Sequence, residues 1–206
     1  MKKGMIALIG MVVALVFIII ALVGPWYAIS ASSPGNTMDS AMSLTSSTTT
    51  INGVTQTTSN ADARKQSSGD TGIFGIIDIT MYLTIFTLVV AILGLVFLLG
   101  YSFNFGKPSM MKVLAMTFGI ITFVLALVAV FYFMVAVPSE TNSTFGVSGL
   151  KNVGFWYSTT VTGASISLGP GFAWYLMLVA GIIALISFIF VLMDKRAAPV
   201  YQNPAP

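Results

Sequence analysis

The stretch GPWYAIS, residues 24–30, separates an apolar run at 5–23 from a long tract rich in Ser, Thr, Asn and Gly. Two readings compete at this junction. The basic start MKK, the apolar run and the small residues of AISA imitate a secretory signal cut after Ser30, and MKKG imitates a prepilin-type cleavage site. Against both, the apolar run exceeds the 7–15 residues usual for a signal core. The expectation is that the chain stays attached and turns out of the membrane at Pro25, which cannot extend a helix. Trp26 then reads as an aromatic anchor at the membrane surface.

The rest of the chain has the same character. It is 206 residues long, 56% hydrophobic and only 7% charged, with a mean hydropathy of +0.94. Soluble domains carry about 25% charged residues, so the composition is that of an integral membrane protein. Nine basic residues without a cluster provide no nucleic-acid footprint. There is neither Cys nor His, which removes disulfides, thiolate nucleophiles, zinc sites and histidine bases. No catalytic, cofactor-binding or metal site is expected, and the chain reads as a non-enzyme.

Runs able to cross about 30 Å of hydrocarbon occur at 5–23, 79–100, 111–137 and 172–193. Only Lys112, at an edge, brings a charge into any of them. The connections are unequal: a long loop at 24–78, a short turn at 101–110 and a second long loop at 138–171, with a tail at 194–206. Lys2, Lys3, Lys107, Lys112, Lys195 and Arg196 fall at the ends and the short turn. The long loops hold Arg64, Lys65 and Lys151 against Asp39, Asp62, Asp70, Asp78 and Glu140. The positive-inside rule therefore predicts a cell-membrane protein with both termini cytoplasmic and both long loops outside.

Small or hydroxyl residues recur three and four apart on each span. They include Ala7, Gly10, Ala14 and Ala21; Thr80, Thr84, Thr87, Ala91 and Gly94; Ala115, Gly119, Thr122, Ala126 and Ala129; and Ala173, Ala180, Ala184 and Ser187. Lipid gives no hydrophobic drive for helices to associate, so close approach along such seams is what joins them. Gly10, Ala14, Thr84, Thr87, Gly119, Thr122, Ala180 and Ala184 are the predicted packing positions of a left-handed four-helix bundle. The threonine stripe reads as interhelical hydrogen bonding, with ion coordination as the alternative.

In the first long loop, SLTSSTTTINGVTQTTS (43–59) places β-branched runs on either side of Asn52-Gly53, the signature of a type I′ hairpin. A disordered, mucin-like Ser/Thr tract is the other reading. KNVGFWYSTTVTGASISLGPG (151–171) repeats the pattern around Thr162-Gly163. Hairpins from both loops, with Trp26 and Tyr27 in a first strand, predict a small antiparallel β-layer on the bundle. Trp26, Phe155, Trp156 and Tyr157 are candidate partner contacts, their alternatives being filler between layers or headgroup anchors. Phe172, Trp174 and Tyr175 read as membrane-belt residues. Asn142-Ser143-Thr144 is a possible glycosylation sequon.

Four spans, inside termini, a larger β-rich first outer loop and Trp26 just after the first helix together resemble the claudin-like tetraspan superfamily. Two features depart from it: the nearest Gly-Leu-Trp analogue, Gly154-Phe155-Trp156, lies in the second loop, and the cysteine pair is absent. The resemblance implies association with like or unlike membrane proteins through an outer sheet. Two other functions fit the sequence: an accessory subunit of a larger respiratory or transport complex, and a channel or small-solute carrier. The expected partners are the lipid bilayer and either copies of the chain or other membrane subunits.

Overall fold

The computed structural model describes residues 3–66, 72–105, 107–144, 153–161 and 163–194, without the side chains of 66, 141–144 and 161. Among the described residues, four long apolar helices make the chain a multi-pass membrane protein: α1 (Lys3–Val23), α3 (Gly72–Phe103), α4 (Pro108–Thr144) and α5 (Phe172–Leu192). A helix pairs its own backbone groups, as a segment in hydrocarbon must. A short helix, α2 (Asn60–Gln66), precedes α3. Its start is fixed by Ser59, whose Oγ accepts from the Asp62 amide at 3.1 Å and donates to the Asp62 carboxylate at 2.7 Å.

Two helices outrun their apolar segments. α3 has 32 residues and begins at Gly72, and α4 has 37 residues and continues through Pro138 to Thr144. Hydrophobicity determines which part of a helix can lie in lipid; intrahelical hydrogen bonds let it continue into polar surroundings. Asn142 consequently stands in the last turn of α4 instead of in a loop, and its side chain is outside the described residues.

The helices close a ring in which α1 packs on α3, α3 on α4, α4 on α5 and α5 back on α1. Buried positions alternate in threes and fours: Ala7, Met11, Ala14, Ile18 and Ala21 on α1; Thr80, Thr84, Thr87, Ala91 and Gly94 on α3. On α4 the series runs Ala115, Gly119, Thr122, Ala126 and Ala129, and on α5 Ala173, Met177, Ala180, Ala184, Ser187 and Val191. The mean period of 3.5 keeps one face of each helix inward over its length.

Gly10 packs closely against α5, where an added Cβ would strike the Ser187 hydroxyl, although the fully buried position of the series is Met11. One expectation needs correction. The threonines do not hydrogen-bond between helices. Thr80, Thr84, Thr87 and Thr122 donate to carbonyls four residues back in their own helix, at 2.7 to 2.8 Å. Such a bond satisfies the hydroxyl locally and leaves the threonine's compact side chain to pack.

At one end of the bundle sits a six-stranded antiparallel sheet in the order β4-β3-β2-β1-β6-β5. Its strands are β1 (Pro25–Ser33), β2 (Asn36–Ser43), β3 (Ser46–Ile51), β4 (Val54–Ser59), β5 (Tyr157–Val161) and β6 (Ala164–Pro170). Asn52 and Gly53 have φ of 48° and 82°, as the predicted type I′ turn requires. β1 leaves α1 directly and pairs with β2 on one side and β6 on the other, so a single strand joins the two connections into one sheet. The described part of the first connection has two elements not expected from the sequence, β2 and α2. β2 was hidden because NTMDSAMS has little β-branched content; pairing with β1 and β3 creates it.

At Gly94 a Cβ would stand 3.3 Å from the Phe118 Cβ and 3.4 Å from the Met11 Cε. Gly94→Leu should therefore destabilise the bundle by about 1–3 kcal/mol through overpacking. Thr84→Val, which keeps shape and loses only an intrahelical bond, should cost less than about 1 kcal/mol. Unfolding of the detergent-solubilised chain, followed by circular dichroism, compares the two; equal effects would count against a close-packed seam.

Candidate interaction surface

The predicted contact residues separate into two groups. Trp26 is fully buried and Phe155 is 6% exposed, which removes both as partner contacts. Trp26 is no surface anchor either, for its indole N–H donates to the Ala21 carbonyl at 2.6 Å. Helix α1 ends where Gly24 donates to Ile20 and Pro25 has no N–H, and the indole satisfies a carbonyl left open by that ending. The indole meets the Phe133 ring of α4 edge-on at 5.2 Å, and Phe155 meets the Phe133 ring at 6.1 Å. Trp174, expected in the membrane belt, is 5% exposed and donates from Nε1 to the Val130 carbonyl at 3.1 Å. Phe172 and Tyr175 on the same helix are exposed. Residues far apart in sequence thus form one aromatic plug between bundle and sheet.

Two glycines let the sheet sit this close. The Gly171 amide donates to the Trp26 carbonyl at 2.8 Å, and a Cβ at Gly171 would collide with the Pro25 carbonyl. A Cβ at Gly24 would stand 2.9 Å from the Phe172 ring. Together they tie the end of α1 to the start of α5.

The outward group is smaller. Trp156 is 56% exposed and Tyr157 is partly exposed on edge strand β5. Sequence reasoning missed Ile51 and Val54, which flank the Asn52-Gly53 turn and are 52% and 75% exposed. Their signal was legible: apolar residues directly beside a two-residue hairpin turn sit at its tip, beyond reach of a core. The tip is braced by Asn52, whose Oδ1 accepts from the Thr37 amide at 2.8 Å and whose Nδ2 donates to Asn36 at 2.9 Å. Edge strand β4, VTQTTS, carries neither a charge nor a proline and is almost wholly exposed. Edges of that composition lack the usual protection against pairing with another chain.

A recess of about 500 Å³ lies between the sheet and α3, lined by Leu44, Asn60, Arg64, Asp78 and Met81. Arg64 bonds Asp78 at 2.9 Å and stands 5.3 Å above the Phe74 ring. The Asp78 hydrogen bond raises the Arg64 pKa still further and keeps the guanidinium charged. The cation is thus neutralised locally, and the bridge pins α2 to α3 instead of presenting free charge. Among the described residues no group of three His, Cys, Asp or Glu is placed to hold a metal ion.

No family model matches the chain, and no curated protein matches it.

Within the plug, Tyr27 is 3% exposed and its hydroxyl finds no hydrogen-bond partner among the described residues. Burial pushes its pKa up from 10.0 to about 12. The folded state holds the proton more tightly than the unfolded chain, so this contribution is intact below pH 10 and is lost between pH 10 and 12. The full loss is about 3 kcal/mol. Tyr27→Phe should remove that part of the alkaline destabilisation and, by deleting an unpaired hydroxyl, cost nothing at neutral pH. Unfolding of both forms at pH 8, 10 and 11.5 measures the difference; parallel pH profiles would contradict it.

Proposed function

We propose that this chain is a non-enzymatic membrane protein that associates with other membrane proteins, copies of itself first, through the tip and open edge of its β-layer. The observation that carries the reading is the braced hairpin β3–β4, which holds Ile51 and Val54 in solvent next to an uncharged edge strand. A monomer keeping only its own counsel gains nothing from two exposed aliphatic side chains on a rigid tip. Apolar side chains at such a place add contact area when a partner covers them, and an open edge adds main-chain hydrogen bonds.

In this reading the bundle is left-handed, as the 3.5-residue burial repeat suggests. The sheet faces outward and both termini face the cytoplasm, supported by Lys3, Lys107 and Lys112 at the end remote from the sheet. There Lys112 donates to the Leu192 and Asp194 carbonyls at 3.3 and 3.0 Å. This is the layout of the claudin-like tetraspans the sequence resembles, and fold alone does not carry their activity across. Self-satisfied threonines in a small-residue seam favour a closed bundle over an aqueous path.

The native absence of cysteine makes the topology directly measurable. Asn52→Cys should react with a membrane-impermeant maleimide on intact cells, and Lys107→Cys should react only after permeabilisation; the reverse pattern would overturn the orientation. For association, Ile51→Asp with Val54→Asp should lower the mass of the gently extracted particle while leaving insertion and thermal unfolding unchanged. A particle of undiminished mass would refute contact through the tip, and one containing other stoichiometric proteins would assign the chain to a larger complex.

A further inference from the structure

The sheet has a second surface with quite different chemistry. Partners directly opposite in an antiparallel sheet share a face, and alternate residues along a strand return to it. Following the register from edge to edge gives one row: Ser158, Ser167, Ser30, Asp39, Thr50 and Thr55. Every strand contributes one oxygen-bearing side chain. The next row outward is Thr160, Ser165, Ser32 and Thr37. Towards the bundle the same face holds Gly169, Ala28 and Ala41, which are too small to obstruct it.

Side-chain geometry agrees with the register, since the hydroxyls of Thr50 and Thr55 meet at 2.9 Å. Ser30, Ser32, Asp39, Ser158, Ser165 and Ser167 are all exposed, whereas Ile29, Ile166 and Leu168, on the other face, are partly covered. Between these hydroxyls lies a depression of about 220 Å³. Beyond the depression, on the bundle side of the same face, the Trp156 ring lies beside Gly169, where a Cβ would stand 3.8 Å from Cδ1. The indole is held edge-on by Phe155 at 4.9 Å and Trp174 at 5.8 Å, so it is exposed yet fixed.

We propose that this face binds a neutral glycan. Each hydroxyl both donates and accepts, which matches the hydroxyls of a sugar, and neighbouring strands repeat them about every 4.8 Å. Asp39 supplies the one strong acceptor, able to take two O–H donors from adjacent sugar hydroxyls. The negative face of the Trp156 ring attracts the C–H edge of a sugar ring. The rows carry a carboxylate and no cation, so an acidic polysaccharide is repelled. A second protein copy is a poorer occupant, because the face lacks the large apolar or aromatic centre that protein interfaces use.

The test uses the full chain in lipid nanodiscs, titrated with cellohexaose, mannohexaose and chitohexaose, and with dextran sulfate as the anionic control. Trp156 is exposed while Trp26 and Trp174 are buried, so indole emission reports occupation of this face. At least one neutral hexaose should give a saturable change with Kd of about 0.1–1 mM. Asp39→Asn and Ser167→Val, both at exposed positions, should each weaken it about tenfold. The double tip variant at Ile51 and Val54 should leave it unchanged, which separates this site from the association surface. A flat response to all three sugars, binding that survives both substitutions, or equal binding of dextran sulfate would overturn the proposal. So would a Ser167→Arg particle of reduced mass, which would give the face to a second copy.

Discussion

The joint at residues 24–27 carries the architecture. Within four residues the chain ends a membrane helix, caps it with its own indole and begins the central strand of a sheet. Trp26 closes an open carbonyl of α1 and fills the top of the bundle against Phe133. Tyr27, one residue on, already pairs with Pro170. Removing a buried Trp from such a place typically costs about 3–5 kcal/mol. The larger effect here is geometric, because the same residue orients β1, and every other strand takes its register from β1 directly or in turn.

The bundle and the sheet impose opposite requirements on this joint. In lipid the helices are held by close approach, so the seam is Ala, Gly and Thr, with threonine hydroxyls returned to their own backbone. At the sheet end the rings of Trp26, Phe133, Phe155 and Trp174 pack together between bundle and sheet. Gly24 and Gly171 resolve the conflict by letting the backbones of the α1 exit and the α5 entry pass in contact. Substituting either would push the sheet away from the plug that supports it.

This arrangement gives the sheet three distinct surfaces. One face, through Tyr27, Ile29, Met42 and Leu168, contributes to the core. The opposite face is a lattice of hydroxyls around Asp39, and the remote tip is aliphatic. A rigid base makes such a division possible, since a surface feature has specificity only when the elements beneath it hold it still.

The sequence by itself determined the membrane class, the four spans, the seam period and both hairpin turns. Each of these depends on local patterns: run length against bilayer thickness, spacing on a helix, and the positive φ that Asn52-Gly53 adopts readily. It could not determine which aromatic residues face out. Trp26, Phe155 and Trp156 look equivalent in sequence, yet the first two are buried and the third is exposed, a difference fixed by Phe133 and Trp174 arriving from other helices. Nor could it show that Ser30, Asp39, Ser158 and Ser167 share one face, because register between strands distant in sequence exists only once the chain has folded. Periodicity is a property of one segment; burial and juxtaposition belong to the segments that meet.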